Sequence, residues 1–350
     1  MSYTLTISKG AVTHAEIVRQ PELWLTTADR MREASTARLE TAGPVVLAGA
    51  GTSAYAASAI AAAWPGAIAV PTTDLLLETP AYFQNTGVLI SLARSGDSPE
   101  SMAVVRRVQR QHPHVRHLAI TCNPEGELAN APGVEAIVLD PRTNDRGLAM
   151  TSAFSNLVLA GLCLRHQREI DSVLPAISAR TQAALPLLDR AADAAAQVPF
   201  SRMTVLASPP LEAAAREASL KVLEMSAGSI VTLPETFLGL RHGPMSFLRR
   251  DSLVLCLHSS SAHKRNYERD LVAELRRKNL GHIVAIGGDG EDSIAANAPE
   301  LPDSLRTPFE IVFPQLLAYR LSLNAGLDPD NPSPDGVITR VVQAVRTYGE

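Results

Sequence analysis

Cysteine is scarce. The three present, Cys122, Cys163 and Cys256, are odd in number and far apart. That pattern excludes a disulfide framework and fits buried free thiols in a reducing compartment. No apolar run is long enough to cross a bilayer; the richest segment, around Leu157 to Leu164, is too short. No basic stretch followed by an apolar core opens the chain, so no signal peptide is expected, and the expected location is the cytoplasm. Strong charge of one sign is missing too. A formal net charge of −4 argues against nucleic-acid binding through overall charge. Hydrophobic residues make up 46% and charged residues 19%, which is the balance of a globular chain. With 350 residues, two domains of ordinary size can each bury a core.

What is there begins with one stretch, Leu92-Ala93-Arg94-Ser95-Gly96-Asp97-Ser98-Pro99-Glu100-Ser101. The apolar run Val88 to Leu92 before it predicts a buried parallel strand. Ser98 as N-cap, Pro99 at the first helical position and Glu100 in the first turn predict a helix start. Gly96 lets the backbone approach a ligand closely, and hydroxyls and free N–H groups then converge on one point. Such a point suits an anion, phosphate above all. An ordinary capped turn would look the same in sequence.

The chain in order alternates strands with helices. Residues 13 to 42 predict a helical start with Ile17, Leu23, Trp24, Ala28 and Met31 inward. Strands are expected at Val45 to Ala48, Ala67 to Val70, Val88 to Leu92, Leu118 to Thr121 and Ala136 to Leu139, with helices between. That is a doubly wound parallel sheet, whose ligands bind beyond the carboxyl ends of the strands. A long apolar helix, Phe154 to Leu164, and a helical connector over 167–197 follow. The pattern then restarts with strands at Met203 to Ala207, Ser252 to Leu257 and Ile283 to Ile286. The offset is roughly 160 residues, as an internal duplication would give. Two copies of one α/β domain are expected, over 1–180 and 198–350. Val337, Val341 and Val345 at i, i+4 spacing predict a terminal helix.

Several residue groups could carry chemistry. Gly49-Ala50-Gly51-Thr52-Ser53-Ala54 fits a loose G-x-G-x-x-A dinucleotide fingerprint, with Asp74 at a plausible distance for a ribose. The hydroxyls of Thr52 and Ser53, and a second serine loop on the next strand, fit a compact phosphate better. Glu217, Lys221 and Glu224 share one helix face at i, i+4 and i+7, which on most helices is a solvated charge ladder. Arg241-His242-Gly243-Pro244 holds a histidine in a rigid, surface-exposed turn. His112, His114 and His117 form an H-x-H-x-x-H cluster, but no nearby cysteine or carboxylate completes a metal set, so a polar surface turn is expected and no metal.

Taken together, the motifs at 49–53, 93–101, 149–152, 216–224, 241–244 and 330–336 resemble the sugar isomerase (SIS) domain proteins, with two domains in tandem. Within them the chain is most similar to the tagatose-6-phosphate ketose/aldose isomerase and galactosamine-6-phosphate deaminase group. The resemblance covers nearly the whole chain. It implies two flavodoxin-like sheets and a phosphosugar site in the first domain. It implies phosphate binding by Gly51, Thr52, Ser53, Arg94, Ser95 and Ser98. Glu224 would be the base between C1 and C2, Lys221 would stabilise the enediolate or its amino equivalent, and His242 would open the ring across a homodimer interface. Thr151, Ser152 and Arg340 are further candidates for substrate contact. Elementary chemistry agrees: proton transfer beside a carbonyl needs a carboxylate base, ring opening a group titrating near neutrality, and the developing anion a cation. No cofactor, nucleic acid or membrane is implied.

One departure stands out. Ala207-Ser208-Pro209-Pro210 replaces a Gly-Ser-Gly-type turn, and its prolines remove two backbone donors, so one phosphate site per chain is expected. The leading expectation is deamination and isomerisation of galactosamine 6-phosphate. Glucosamine-6-phosphate deamination, fructosamine-6-phosphate deglycation, a non-catalytic sugar-phosphate sensor and a nicotinamide dehydrogenase remain as alternatives.

Overall fold

The alternate residues of the strand Val45–Gly49 (β1) face two different cores, and that dictates a sheet covered on both sides. The computed structural model describes residues 8–34, 44–290, 293–343 and 345–348. Val45 and Leu47 join one apolar cluster, while Val46 and Ala48 join another. A strand with no polar face must lie between two helical layers. It does so in a parallel sheet with β2 (Ala67–Pro71), β3 (Val88–Ala93), β4 (Arg116–Thr121) and β5 (Val134–Val138), in the order β2-β1-β3-β4-β5. The helices α1 (Ala11–Val18), α2 (Gln20–Glu33) and α3 (Thr52–Ala62) precede or follow β1, and α4 (Thr72–Phe83) and α5 (Pro99–Gln111) follow β2 and β3. Ile17, Leu23, Trp24, Ala28 and Met31 are all buried, although two helices carry them rather than one. The rest of that expected helix, 35–42, lies outside the described residues.

A second parallel sheet holds β6 (Arg202–Ala207), β7 (Val231–Glu235), β8 (Ser252–Leu257) and β9 (His282–Ile286), in the order β7-β6-β8-β9. Its first strand lies between its second and third, as in the first sheet, so the duplication is visible in topology. The strand β7 was not expected from sequence. It contains Pro234 and has no buried residue, features an edge strand tolerates, and no continuous apolar run marks it. Around this sheet lie α7 (Glu212–Met225), α8 (Ala262–Arg277), α9 (Asp303–Glu310) and α10 (Val312–Asn324).

Between the sheets runs α6, Ser152–Ala196. The expected apolar helix and the expected connector are one helix, whose backbone leaves helical geometry only at His166 (φ −118°, ψ 23°). Its first turns are buried all round, against α2, α3 and α10. One apolar cluster runs from Leu47 through Leu157 and Phe313 to Leu255, joining the two sheets through a shared core. Among the described residues the expected terminal helix is absent. Residues 331–343 follow an irregular path, and Val337 is 86% exposed. Val345 is exposed as well and Val341 only half-buried, and i, i+4 spacing without a surface to bury against does not hold a helix.

Candidate functional site

The loops after β1 and β3 open at neighbouring strand ends. At the first, Gly49 is required by close approach: a Cβ there would lie 2.5 Å from the Ser53 backbone. Gly51 has φ +55° and ψ −126°, a conformation reserved for glycine, and the space its missing side chain would occupy is empty. Thr52 and Ser53 begin α3 and are buried. At the second loop Gly96 has φ +75°. Asn123 Nδ2 donates to the Ser95 carbonyl at 2.9 Å, and Asp97 N donates to Ser95 Oγ at 3.2 Å. Ser98 is the N-cap of α5 and Pro99 its first residue, as the sequence predicts. The Ser98 hydroxyl donates to Glu100 Oε2 at 2.6 Å instead of accepting from the helix.

Arg94 is buried, and its guanidinium donates to the carbonyls of Gly147 (3.3 Å), Leu148 (3.0 Å) and Arg340. Burial, with Arg340 close by, lowers this guanidinium to about 10. Arg340 Nε in turn donates to the Asp145 carbonyl at 2.8 Å. The loop they grip is held from behind by two buried acids. Asp145 accepts from Thr151 N (2.7 Å), Ala153 N (2.8 Å) and the Ser152 hydroxyl, capping α6. Glu16 accepts from Arg146 N at 2.7 Å. Burial, and then the facing Asp145, raises Glu16 to about 7; burial raises Asp145 as well. Thr151 and Ser152 thus sit beside this loop, fully buried, with Thr151 Oγ1 lacking a partner. Neither Glu16 nor Asp145 carried a sequence signal: the partners of Glu16 lie on a remote segment, and those of Asp145 lie across the turn at 151–153, which no local motif marks.

The charged face of α7 is not a solvated ladder. Glu217 and Lys221 have fully buried side chains, because α3 of the first half packs over them. Lys221 Nζ donates to Thr52 Oγ1 at 3.0 Å, pairs with Glu217 Oε1 at 3.4 Å and makes its tightest pair with Glu224. Thr52 passes its own proton toward Glu217 Oε1 at 3.3 Å, while Glu217 Oε2 has no partner. Burial raises the Glu217 carboxyl to about 8, against the pull of Lys221. Burial would lower Lys221, but Glu217 and Glu224 together hold it above its ordinary value. Glu224 is 22% exposed and reaches the wall of a cavity of about 360 Å³. Leu220 and Leu223 from α7 line that cavity beside Glu224, and Ser333, Asp335 and Ile338 close it from the C-terminal segment. The arrangement is a carboxylate at a cavity wall, backed by a buried ammonium and tied through Thr52 to the first glycine loop.

Other expected residues lie apart. His242 is exposed in the turn after β7, and among the described residues no hydrogen bond joins its side chain to Glu224 or Lys221. Asp74 is exposed in the first turn of α4. The rings of His112 and His114 meet edge to face at 6.1 Å, while His117 lies buried in β4 with neither ring nitrogen partnered. Among the described residues no group of three His, Cys, Asp or Glu is placed to hold a metal ion. In the second half, the Ser208 hydroxyl donates to Glu268 at 2.6 Å, so the turn before Pro209 is engaged internally.

No protein-family model matches the chain. Whole-chain relatives do. The D-galactosamine-6-phosphate deaminase AgaS of Escherichia coli is 36% identical, over 96% of this chain and 95% of its own. The protein of the same name from Shewanella sp. (strain ANA-3) is 34% identical, over 96% and 91%. Among solved structures, the tagatose-6-phosphate ketose/aldose isomerase of Escherichia coli superposes with a TM-score of 0.85 at 33% identity, over 96% of this chain and 98% of that one. The glucosamine-6-phosphate deaminase of Thermotoga maritima shares the fold, with a TM-score of 0.73 at 18% identity over 95% and 99%. With two sheets of one topology, a glycine–serine loop pair and near-complete alignment to these relatives, the chain belongs to the SIS-domain family of galactosamine-6-phosphate deaminases and tagatose-6-phosphate ketose/aldose isomerases.

Proposed function

We propose that this chain is a cofactor-independent deaminating isomerase that converts D-galactosamine 6-phosphate and water to tagatose 6-phosphate and ammonia. The observation that carries the reading is Glu224 at the cavity wall, paired with the buried Lys221 and linked by Thr52 to the Gly51 loop. The names of the whole-chain relatives supply the substrate. In this reading the domains 1–180 and 198–350 divide the work. The first holds the phosphate with Gly51, Thr52, Ser53, Arg94, Ser95 and Ser98, far enough from C1 to orient the sugar. The second supplies the chemistry.

Glu224 takes the proton from C2 while O1 gains one, giving an enolamine, and then returns a proton to C1. Lys221, held by the Glu224 carboxylate, Glu217 and the Thr52 hydroxyl, offsets the charge that develops on the oxygen. Water adds to the resulting C2 imine, and ammonia leaves, which is the hydrolytic part of the reaction. Arg340 flanks the substrate, and Thr151 and Ser152, fully buried, shape the Asp145 loop behind it. The protein works as a cytoplasmic homodimer, in which the exposed His242 of one copy opens the sugar ring in the other. The name of the Escherichia coli isomerase favours a second reading, aldose–ketose isomerisation without loss of nitrogen.

The test is ammonia release and ketose 6-phosphate formation from galactosamine 6-phosphate and glucosamine 6-phosphate, with Glu224→Gln as control. Ammonia from the wild type and a loss of roughly a hundredfold or more in the variant are expected. Isomerisation of tagatose 6-phosphate without ammonia from either amino sugar would select the second reading. Thermal stabilisation by both sugars without turnover would make the protein a sensor.

A further inference from the structure

The second sheet has its own serine loop. The strand β8 stands to β6 as β3 stands to β1, and it too ends in a run of hydroxyls, Ser259-Ser260-Ser261, before a helix. Among the described residues, no carboxylate from a remote element bonds Ser95 or Ser98 in the first half. In the second half Asp303 does, and Glu268 of α8 also accepts from Ser259 N at 3.1 Å. Asp303, the first residue of α9, puts its carboxylate into the loop and is nine-tenths buried or more. Its Oδ1 accepts from Ser260 N (2.8 Å), Ser260 Oγ (3.0 Å) and Arg306 Nη1 (3.0 Å). Its Oδ2 accepts from Ser259 Oγ and from Lys264 Nζ at 3.0 Å. One backbone N–H, two hydroxyls, an ammonium and a guanidinium therefore converge on a single carboxylate. Burial alone would raise Asp303, yet these donors, Ser259 first, hold it at about 2.

Five donors converge here, two of them cationic, with the Arg306 guanidinium shared with Glu310 at 3.1 Å, and they are the donor types that hold a phosphate. We propose that Asp303 is the built-in occupant of an oxyanion site at the carboxyl edge of β8, and that inorganic phosphate or a phosphate monoester takes the place of its carboxylate once that group is removed. Access exists, since Ser260 is exposed and the Lys264 side chain is 35% exposed. A consequence is that the wild-type chain has no second phosphate site, for a reason separate from Pro209 and Pro210.

The experiment is calorimetric titration of wild type and Asp303→Ala with inorganic phosphate, alongside thermal melts. The variant is expected to bind one phosphate per chain more than wild type, and phosphate is expected to raise its Tm more. Adding Lys264→Met to Asp303→Ala should abolish that extra binding. A folded Asp303→Ala that binds no more phosphate than wild type overturns the proposal, leaving Asp303 as a tether for α9. Should the variant be unfolded without phosphate, refolding on its addition, read by circular dichroism, is the expected result, and failure to refold overturns the proposal. The readout is a difference between two proteins, so it stands whether or not the first half turns over a phosphosugar.

Discussion

Replacing Glu217 by glutamine should make the protein more stable near neutral pH, and the size of the gain should depend on pH. Glu217 is fully buried, and burial raises its carboxyl from 4.5 to about 8. A carboxyl raised on folding contributes stability that is whole below its unfolded value and drains away as pH climbs to the folded one. Between pH 4.5 and neutrality the unfolded carboxyl ionises and the buried one does not. Each pH unit costs the native state roughly 1.4 kcal/mol, so the total near pH 7 is about 3 kcal/mol. Glutamine carries no such cost. Its amide nitrogen would occupy the Oε2 position, which has no partner, at a cost of about 1 kcal/mol. Glu217→Gln is therefore expected to gain about 2 kcal/mol near pH 7, roughly 3 °C in Tm for a chain of this length, and more near pH 8. Near pH 5 it should be level with wild type or slightly below. Urea denaturation at these three pH values checks it. A difference that does not change with pH, or a variant less stable throughout, would show Glu217 ionised in a true pair with Lys221 and refute the reasoning.

Gly51→Ala should cost about 1–3 kcal/mol from backbone strain alone, since φ +55° is the obstacle and the space around it is empty; unchanged stability in urea would contradict this. Ser95→Ala should raise KM for the sugar phosphate roughly tenfold and leave kcat within about twofold, because it removes a hydroxyl from the proposed phosphate loop and nothing from Glu224. A fall in kcat at constant KM would remove Ser95 from phosphate binding. His117 is buried without partners, and burial lowers it from 6.5 to about 4. Stability should therefore be whole above pH 6.5 and decline as pH falls toward 4, by at most about 3 kcal/mol. His117→Phe should flatten that segment of the pH–stability curve, and an unaltered curve would assign acid sensitivity elsewhere.

Local signals carried much of this protein. Val45 to Gly49 and Val88 to Ala93 are apolar enough that only a doubly covered strand can bury them, and Ser98-Pro99-Glu100 starts a helix wherever it falls. Repetition of those signals after residue 200 was enough to expect two sheets of one kind, and Lys221 and Glu224 shared a face by helical spacing alone. Elements whose residues make no local pattern escaped, such as the edge strand β7 with Pro234 at its heart. The irregular course of 331–343 escaped for the opposite reason, since the valines from 337 on keep helical spacing while Val337 and Val345 stay exposed. Other properties belong to no local segment at all. Helical spacing places Glu217 and Lys221 on one face, but only the packing of α3 from the other half makes that face dry and pushes Glu217 toward neutrality. Arg94 is gripped by carbonyls at 147, 148 and 340, and the serine loop after β8 is filled by Asp303. Burial and long-range hydrogen bonding set the charge states here, and both are decided by what the fold brings alongside a residue rather than by its neighbours in the chain.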